Sequence, residues 1–380
     1  MGRDSANGSL SVWPVLFYEG HTALGLYVLC YGRVKLTRLT AREQRLSITS
    51  IDLYGLRIEV RAESDALAAE MTRPFKYFFA SCPAHAYVVN VVETDPPYEQ
   101  FPTIQASFSS PRNIVYRNDD QKIIDYFGKG VVVENLRDSE FTLYSRDHNF
   151  LIEALYLLVL SLFGQHCDRR GMLRVHALAI SYHDKAILIT APQGGGKSTM
   201  MFSMLRMDGV KLISDDEPII GTDGTVMPFP LRLGFLNKES IVDIPSEYVY
   251  QIDRMEFGIK YFVDCEYWKD NIETRALTKS VLCTSIRVLN GEPGVTRCSK
   301  IRMLRTLMRD AVIGIGLFQG VEFLFSKSSW DILSKIHVAM KRFIRAARLT
   351  ARSDTYEITL SRDIARNAEV LEDFVKNRLR

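Results

Sequence analysis

At 380 residues the chain is long enough for two domains, and 47% apolar with 24% charged residues is the composition of a folded globular protein, not a disordered one. A formal net charge of +3 is too small to argue for a nucleic-acid or membrane partner. Six cysteines, Cys30, Cys82, Cys167, Cys265, Cys283 and Cys298, show no C-x-x-C spacing, so neither a zinc site nor a disulfide framework is indicated and a reducing cytoplasm is the expected location.

The opening MGRDSANGSLSVW lacks a signal-peptide core. Residues 1–145 read as a β-rich domain and a candidate acceptor-binding region. Short strands are expected at Val15–Tyr18, Gly25–Tyr31, Leu46–Ile51 and Leu56–Val60, with a turn at Leu53–Leu56. A helix follows over Asp65–Met71, then strands at Tyr87–Val92, Gln105–Ser109, Asn113–Tyr116, Gly130–Glu134 and Phe141–Tyr144. Phe75, Tyr77, Phe78 and Phe79 suit a hydrophobic core better than a ligand surface.

The most hydrophobic stretch, Phe150–Phe163, is interrupted by Glu153 and is too short to span a bilayer. It belongs to a core helix, begun by Asp147 or Asn149 and ended near Gly164. Leu173–Ile180 reads as one strand with His176 at its middle, a position where a core histidine is the ordinary expectation.

The most informative stretch is Lys185–Glu217. A β-branched apolar run leads into A-P-Q-G-G-G-K-S-T (Ala191–Thr199), and a helix follows in which Met200, Met201, Met204 and Leu205 are available for burial. Gly209 closes that helix, and Val210–Ser214 ends on Asp215 and Asp216. This is a βαβ unit, whose strands would run parallel and bring loop and carboxylates to one sheet edge. Successive glycines let backbone N–H groups surround a phosphate, and the helix N-terminus adds positive potential. Lys197 would reach the terminal phosphates and Ser198 would hold Mg²⁺. The strand-end acids would complete the metal shell or accept a proton. Ala191 stands where the motif has its first glycine, and alanine fits there if φ is negative.

Downstream, Thr222–Thr225 is a hairpin turn, and Arg232 is either a phosphate partner or a solvated strand-end charge. Strands are expected at Tyr261–Asp264, Ser280–Asn290 and Tyr356–Leu360. Helices are expected at Lys300–Asp310, Trp330–Arg348 (Ile332, Ile336, Ala339, Phe343 and Ala347 on one face) and Ile364–Leu379. The basic set Lys341, Arg342, Arg345, Arg348 and Arg352 is read as a solvated helix face, with no nucleic-acid partner.

RVHALAI, the glycine loop and LISDDE, in that order and close spacing, resemble the catalytic domain of the HPr kinase/phosphorylase family, including relatives that tailor lasso peptides. The resemblance is firm over residues 170–235. It implies an α/β fold: a phosphoenolpyruvate-carboxykinase-like P-loop domain over 146–380, preceded by the β-rich domain. It also implies ATP and Mg²⁺ as cofactors, with Gly194, Gly195, Gly196, Lys197, Ser198 and Thr199 as the nucleotide cradle. Asp215 would be the base and Asp216 the metal partner, or the reverse, with His176 near the transferred phosphate. LISDDE is not followed by the Gly-Ile-Gly-type sequence of true HPr kinase/phosphorylases, so the resemblance does not extend to phosphorylase activity or to HPr as substrate. The expected function is a kinase acting on a hydroxyl, a serine of a peptide or protein, in a chain that could form a homo-oligomer. An ATP-binding sensor and a small-molecule kinase are the alternatives.

Overall fold

The computed structural model describes residues 46–81, 84–192, 195–254, 258–309 and 329–379, with the side chains of 329–335 left aside. The strands expected at Val15–Tyr18 and Gly25–Tyr31, and the loop residue Gly194, lie outside the described residues. Residues 41–380 belong to one compact unit.

The first part of this unit is an eight-stranded sheet. Its strands are β1 (Ser47–Leu53), β2 (Leu56–Ala62), β3 (Tyr87–Val92), β4 (Ala106–Ser109), β5 (Ile114–Arg117), β6 (Gln121–Asp125), β7 (Val131–Asn135) and β8 (Glu140–Tyr144), in spatial order β1-β2-β3-β8-β7-β6-β5-β4. Tyr54 and Gly55, both at positive φ, make the tight β1–β2 turn. β6 is not among the expected strands, because QKIID is short and flanked by polar residues. Its pairing with β5 and β7 makes it a strand. Helix α1 (Asp65–Thr72) is capped by the Ser64 hydroxyl. Of the aromatic cluster, Phe75 and Phe78 are buried and Tyr77 and Phe79 are exposed.

Helix α2 (His148–Arg170) is capped by Asp147 and closed by Gly171 in the left-handed region, so it runs past Gly164. Gly164 is interior because the Arg174 guanidinium packs against it, 2.4 Å from where a Cβ would stand. By length and composition α2 could cross a membrane, but 78% of its apolar window is buried inside the protein. It is the core helix of the first cluster, where Phe150, Leu151, Leu155, Leu158, Val159 and Phe163 meet the eight-stranded sheet.

The second large sheet has the order β12-β10-β11-β18-β20-β19, built from β10 (Leu178–Tyr182), β11 (Lys185–Thr190), β12 (Val210–Ser214), β18 (Lys279–Arg287), β19 (Gly294–Arg297) and β20 (Asp354–Leu360). β10 is antiparallel to both β11 and β12, so those two run parallel with β10 between them. β18 is parallel to β11 and to β20. Alternation along these strands feeds two cores. Ile187, Ile189, Leu212 and Ile358 pack with Met200, Met201 and Met204 of α3 (Lys197–Leu205) and with Leu371 of α6 (Ile364–Asp373). Ala186, Leu188, Ile213 and Leu282 pack with Met303 and Leu307 of α4 (Lys300–Leu307) and with Ala346 and Leu349 of α5 (Ser329–Arg352). The α5 face keeps part of the expected one: Ala339 and Phe343 pack against this core together with Ala346 and Leu349, while Ile336 is exposed. The fold is therefore mixed α/β. Two small three-stranded sheets complete it: β9 (Leu173–Arg174), β13 (Ile219–Ile220) and β14 (Val226–Met227), and β15 (Arg232–Phe235), β16 (Val249–Asp253) and β17 (Ile259–Asp264).

Candidate active site

Three segments converge at the end of β11. Gly196 takes φ +86 as it passes the chain into α3, a conformation that favours glycine, and Lys197 is the first helical residue. The expected strand Leu173–Ile180 is broken at His176, between β9 and β10. Val175 N–H and Ala177 N–H donate to the Pro218 and Asp216 carbonyls, so the segment around His176 is tied to the segment that follows β12.

The side chains meet there. Lys197 Nζ donates to His176 Nε2 at 2.5 Å and lies 3.3 Å from Asp216 Oδ1, and His176 Nδ1 lies 3.1 Å from the same oxygen. The lysine contact needs a lone pair on Nε2, which places the imidazole proton on Nδ1, donating to Asp216. Burial opposes the charged imidazole, but the Asp216 hydrogen bond and charge outweigh it and raise the His176 pKa. Burial likewise opposes the Asp216 charge. The His176 hydrogen bond, with the positive charges of Lys197 and Lys260, holds its carboxyl well below the usual range. Asp216 still keeps 48% of its side chain exposed, so this trio opens to solvent.

Asp215 is placed differently. Its Oδ2 accepts the Gly234 N–H at 3.3 Å, and its Oδ1 is buried without a hydrogen-bond partner. Burial first, then the neighbouring Asp216, pushes its pKa up to about 6. Lys260 lies over Gly234 on the neighbouring strand, and burial lowers its pKa while the two aspartates counteract. Lys260 and the Gly234 N–H are members of this neighbourhood that the linear sequence does not reveal. Their approach depends on the pairing of β15 with β17 across more than twenty residues of chain.

Gly195 N–H donates back to the Pro192 carbonyl at 2.9 Å. Ser198 and the exposed Thr199 lie in the first turn of α3, and Ser198 does not hydrogen-bond either aspartate. Among the described residues no group of three or more His, Cys, Asp or Glu side chains could hold a metal by itself. Arg232 stands apart from the loop cluster. It is buried, pairs with Glu153 at 2.7 Å, and is sandwiched between the Tyr156 and Phe262 rings at 3.8 and 4.0 Å. Its charge is already matched, which is a structural arrangement and not the solvated or phosphate-facing one expected.

Neither a protein-family model nor a curated protein matches the chain.

Proposed function

We propose that the chain is an ATP- and Mg²⁺-dependent kinase that passes the γ-phosphoryl group to a hydroxyl of a peptide or protein, a serine in the first instance. The reading is carried by one observation: Lys197, at the start of the glycine-loop helix, shares Asp216 with His176. The lysine that follows the glycine loop and a carboxylate just past β12 therefore meet at one point. The resemblance of RVHALAI, the loop and LISDDE to the HPr kinase/phosphorylase family supports it, and with it a phosphoenolpyruvate-carboxykinase-like arrangement working in the cytoplasm.

Phosphoryl transfer asks the protein for placement and charge neutralisation more than covalent chemistry. The Gly195–Gly196 turn and the α3 N-terminus would cradle the phosphates, and Lys197 would exchange its present partners for the terminal phosphate oxygens. Asp215, raised to about 6 and with one oxygen unpartnered, has the properties of a base that takes the acceptor hydroxyl proton. Asp216, held ionised by His176 and Lys197, is suited to a hard cation. The donor set fits magnesium, which in phosphate sites uses one or two carboxylates with substrate oxygens; Ser198 and Asp216 would be the protein's share. The metal, when bound, would neutralise charge developing between the β- and γ-phosphates.

The test is transfer from radiolabelled ATP to serine peptides. Lys197→Ala should lower turnover on the order of 10²-fold or more, and Asp215→Asn by about 10²–10⁴-fold with nucleotide affinity largely kept. Wild-type transfer by Lys197→Ala would remove the assignment. ATP binding with no labelled acceptor would favour a sensor.

A further inference from the structure

A cavity of about 330 Å³ opens beside the loop, on the side of β11 away from Asp215. Pro192, two residues past β11, forms part of its wall. Among the described residues its wall includes Arg287, Arg302 and Arg309, with Thr284, Thr306 and one acid, Glu357. Cys283 and Ile358 belong to the core beneath α3. By strand alternation Thr284 and Glu357 therefore face the opposite side, where α4 brings Arg302 and Thr306 over the sheet.

Leaving Arg309 aside, Arg287 and Arg302 outnumber the one acid among the described lining residues. Arg302 contacts Glu357 through one amino group and remains 55% exposed, so most of its five N–H donors are available. Arg287 makes no ion pair among the described residues and lies against Gly196, at the start of α3. A small cavity walled by surplus guanidinium and hydroxyl donors, with one acid, matches an oxyanion. Its volume holds a side-chain-sized group and not a whole peptide.

We propose that this cavity seats an oxyanion, carboxylate or phosphate, carried by the phosphoryl acceptor, and so selects acceptors with an acidic group near the target hydroxyl. That the ligand is the acceptor rests on the kinase reading above; the binding itself does not.

The experiment uses the full chain and fluorescently labelled serine peptides, identical except for a glutamate, a phosphoserine or a lysine beside the serine. Anisotropy without ATP reads binding, and inorganic phosphate is the competitor. The acidic peptides should bind about tenfold tighter than the lysine peptide, phosphate should displace them, and their preference for glutamate or phosphoserine names the source of the oxyanion. Arg302→Gln should weaken them about tenfold, as should Arg302→Gln with Glu357→Gln, which removes the ion pair without leaving a lone charge. Thermal melts of both variants should match wild type. Equal binding of all peptides, or undiminished binding by the folded double variant, overturns the proposal. Transfer to the lysine peptide as fast as to the acidic ones overturns the cavity's role and leaves the kinase standing. Tight, displaceable binding of acidic peptides without any transfer supports the cavity and removes the kinase.

Discussion

Two charged clusters in this chain are built in opposite ways. In one, Arg232 and Glu153 are sealed from water between aromatic rings. In the other, Lys197, His176 and Asp216 share contacts while Asp216 stays half exposed and the adjacent Asp215 keeps an unpartnered oxygen. The first holds structure together, because the Arg232 charge is paired with Glu153 and almost wholly withdrawn from solvent, although its Nη1, like Asp215 Oδ1, has no hydrogen-bond partner. The second stays open to water at Asp216, which is how a candidate binding or catalytic site differs from a buried ion pair. Substitutions should therefore act on stability in the first cluster and mainly on function in the second.

The largest stability effect is expected at Glu153. Glu153→Ala strands the Arg232 charge inside the protein and should cost about 3–5 kcal/mol in urea unfolding. Replacing both partners, Arg232→Met with Glu153→Leu, should cost far less, since the matched desolvation penalties vanish together. If the single and double variants lose equal stability, the pair is not the unit described here.

Next comes Glu273, a structural carboxylate whose side chain is 1% exposed. It accepts the Ser181 hydroxyl and the Arg275 guanidinium. Burial works against its charge, but these hydrogen bonds prevail and lower its pKa to about 2. A depressed folded-state pKa gives stability that is present above the ordinary glutamate value and lost as pH falls toward 2. Arg275 is 60% exposed, which screens the pair, so the contribution at neutral pH is about 2 kcal/mol. Glu273→Gln should remove that amount at pH 7 and flatten the acid limb of the stability profile. An unchanged acid limb would contradict the role given to this carboxylate.

The contrast between the clusters also marks what a linear sequence can disclose. Tyr87–Val92, the hairpin at Tyr54–Gly55, and the strand β11 and helix α3 are written in local patterns, and all of them form as those patterns dictate. Lys197, Asp215 and Asp216 are legible for the same reason: one helix separates loop from acids. Features set by distant partners are not. Gly164 reads as a helix stop until Arg174 is packed against it, and His176 reads as mid-strand until Asp216 and Pro218 take the hydrogen bonds beside it. Arg232 is ambiguous until Glu153, seventy-nine positions earlier, arrives to neutralise it. Lys260 carries no signal at all before β15 and β17 pair.

The smallest effect runs in the opposite direction and separates the clusters most cleanly. Asp215 is charged at neutral pH against the preference of its surroundings, because burial and Asp216 both favour its neutral form. A carboxyl whose folded-state pKa is raised to about 6 lowers stability as pH climbs from the unfolded value through that point. Asp215→Asn should therefore stabilise the fold at pH 7, by about 1 kcal/mol once partial solvent access is allowed for, while lowering the proposed phosphoryl transfer by about 10²–10⁴-fold. Below about pH 6 the wild-type carboxyl takes up its own proton and the advantage of asparagine should shrink. Denaturant titrations of both proteins at pH 5 and pH 7.5 decide the matter. A variant that loses stability at the higher pH would make Asp215 a member of the structural class, and the distinction between the two clusters would fail at the residue on which the proposed chemistry most depends.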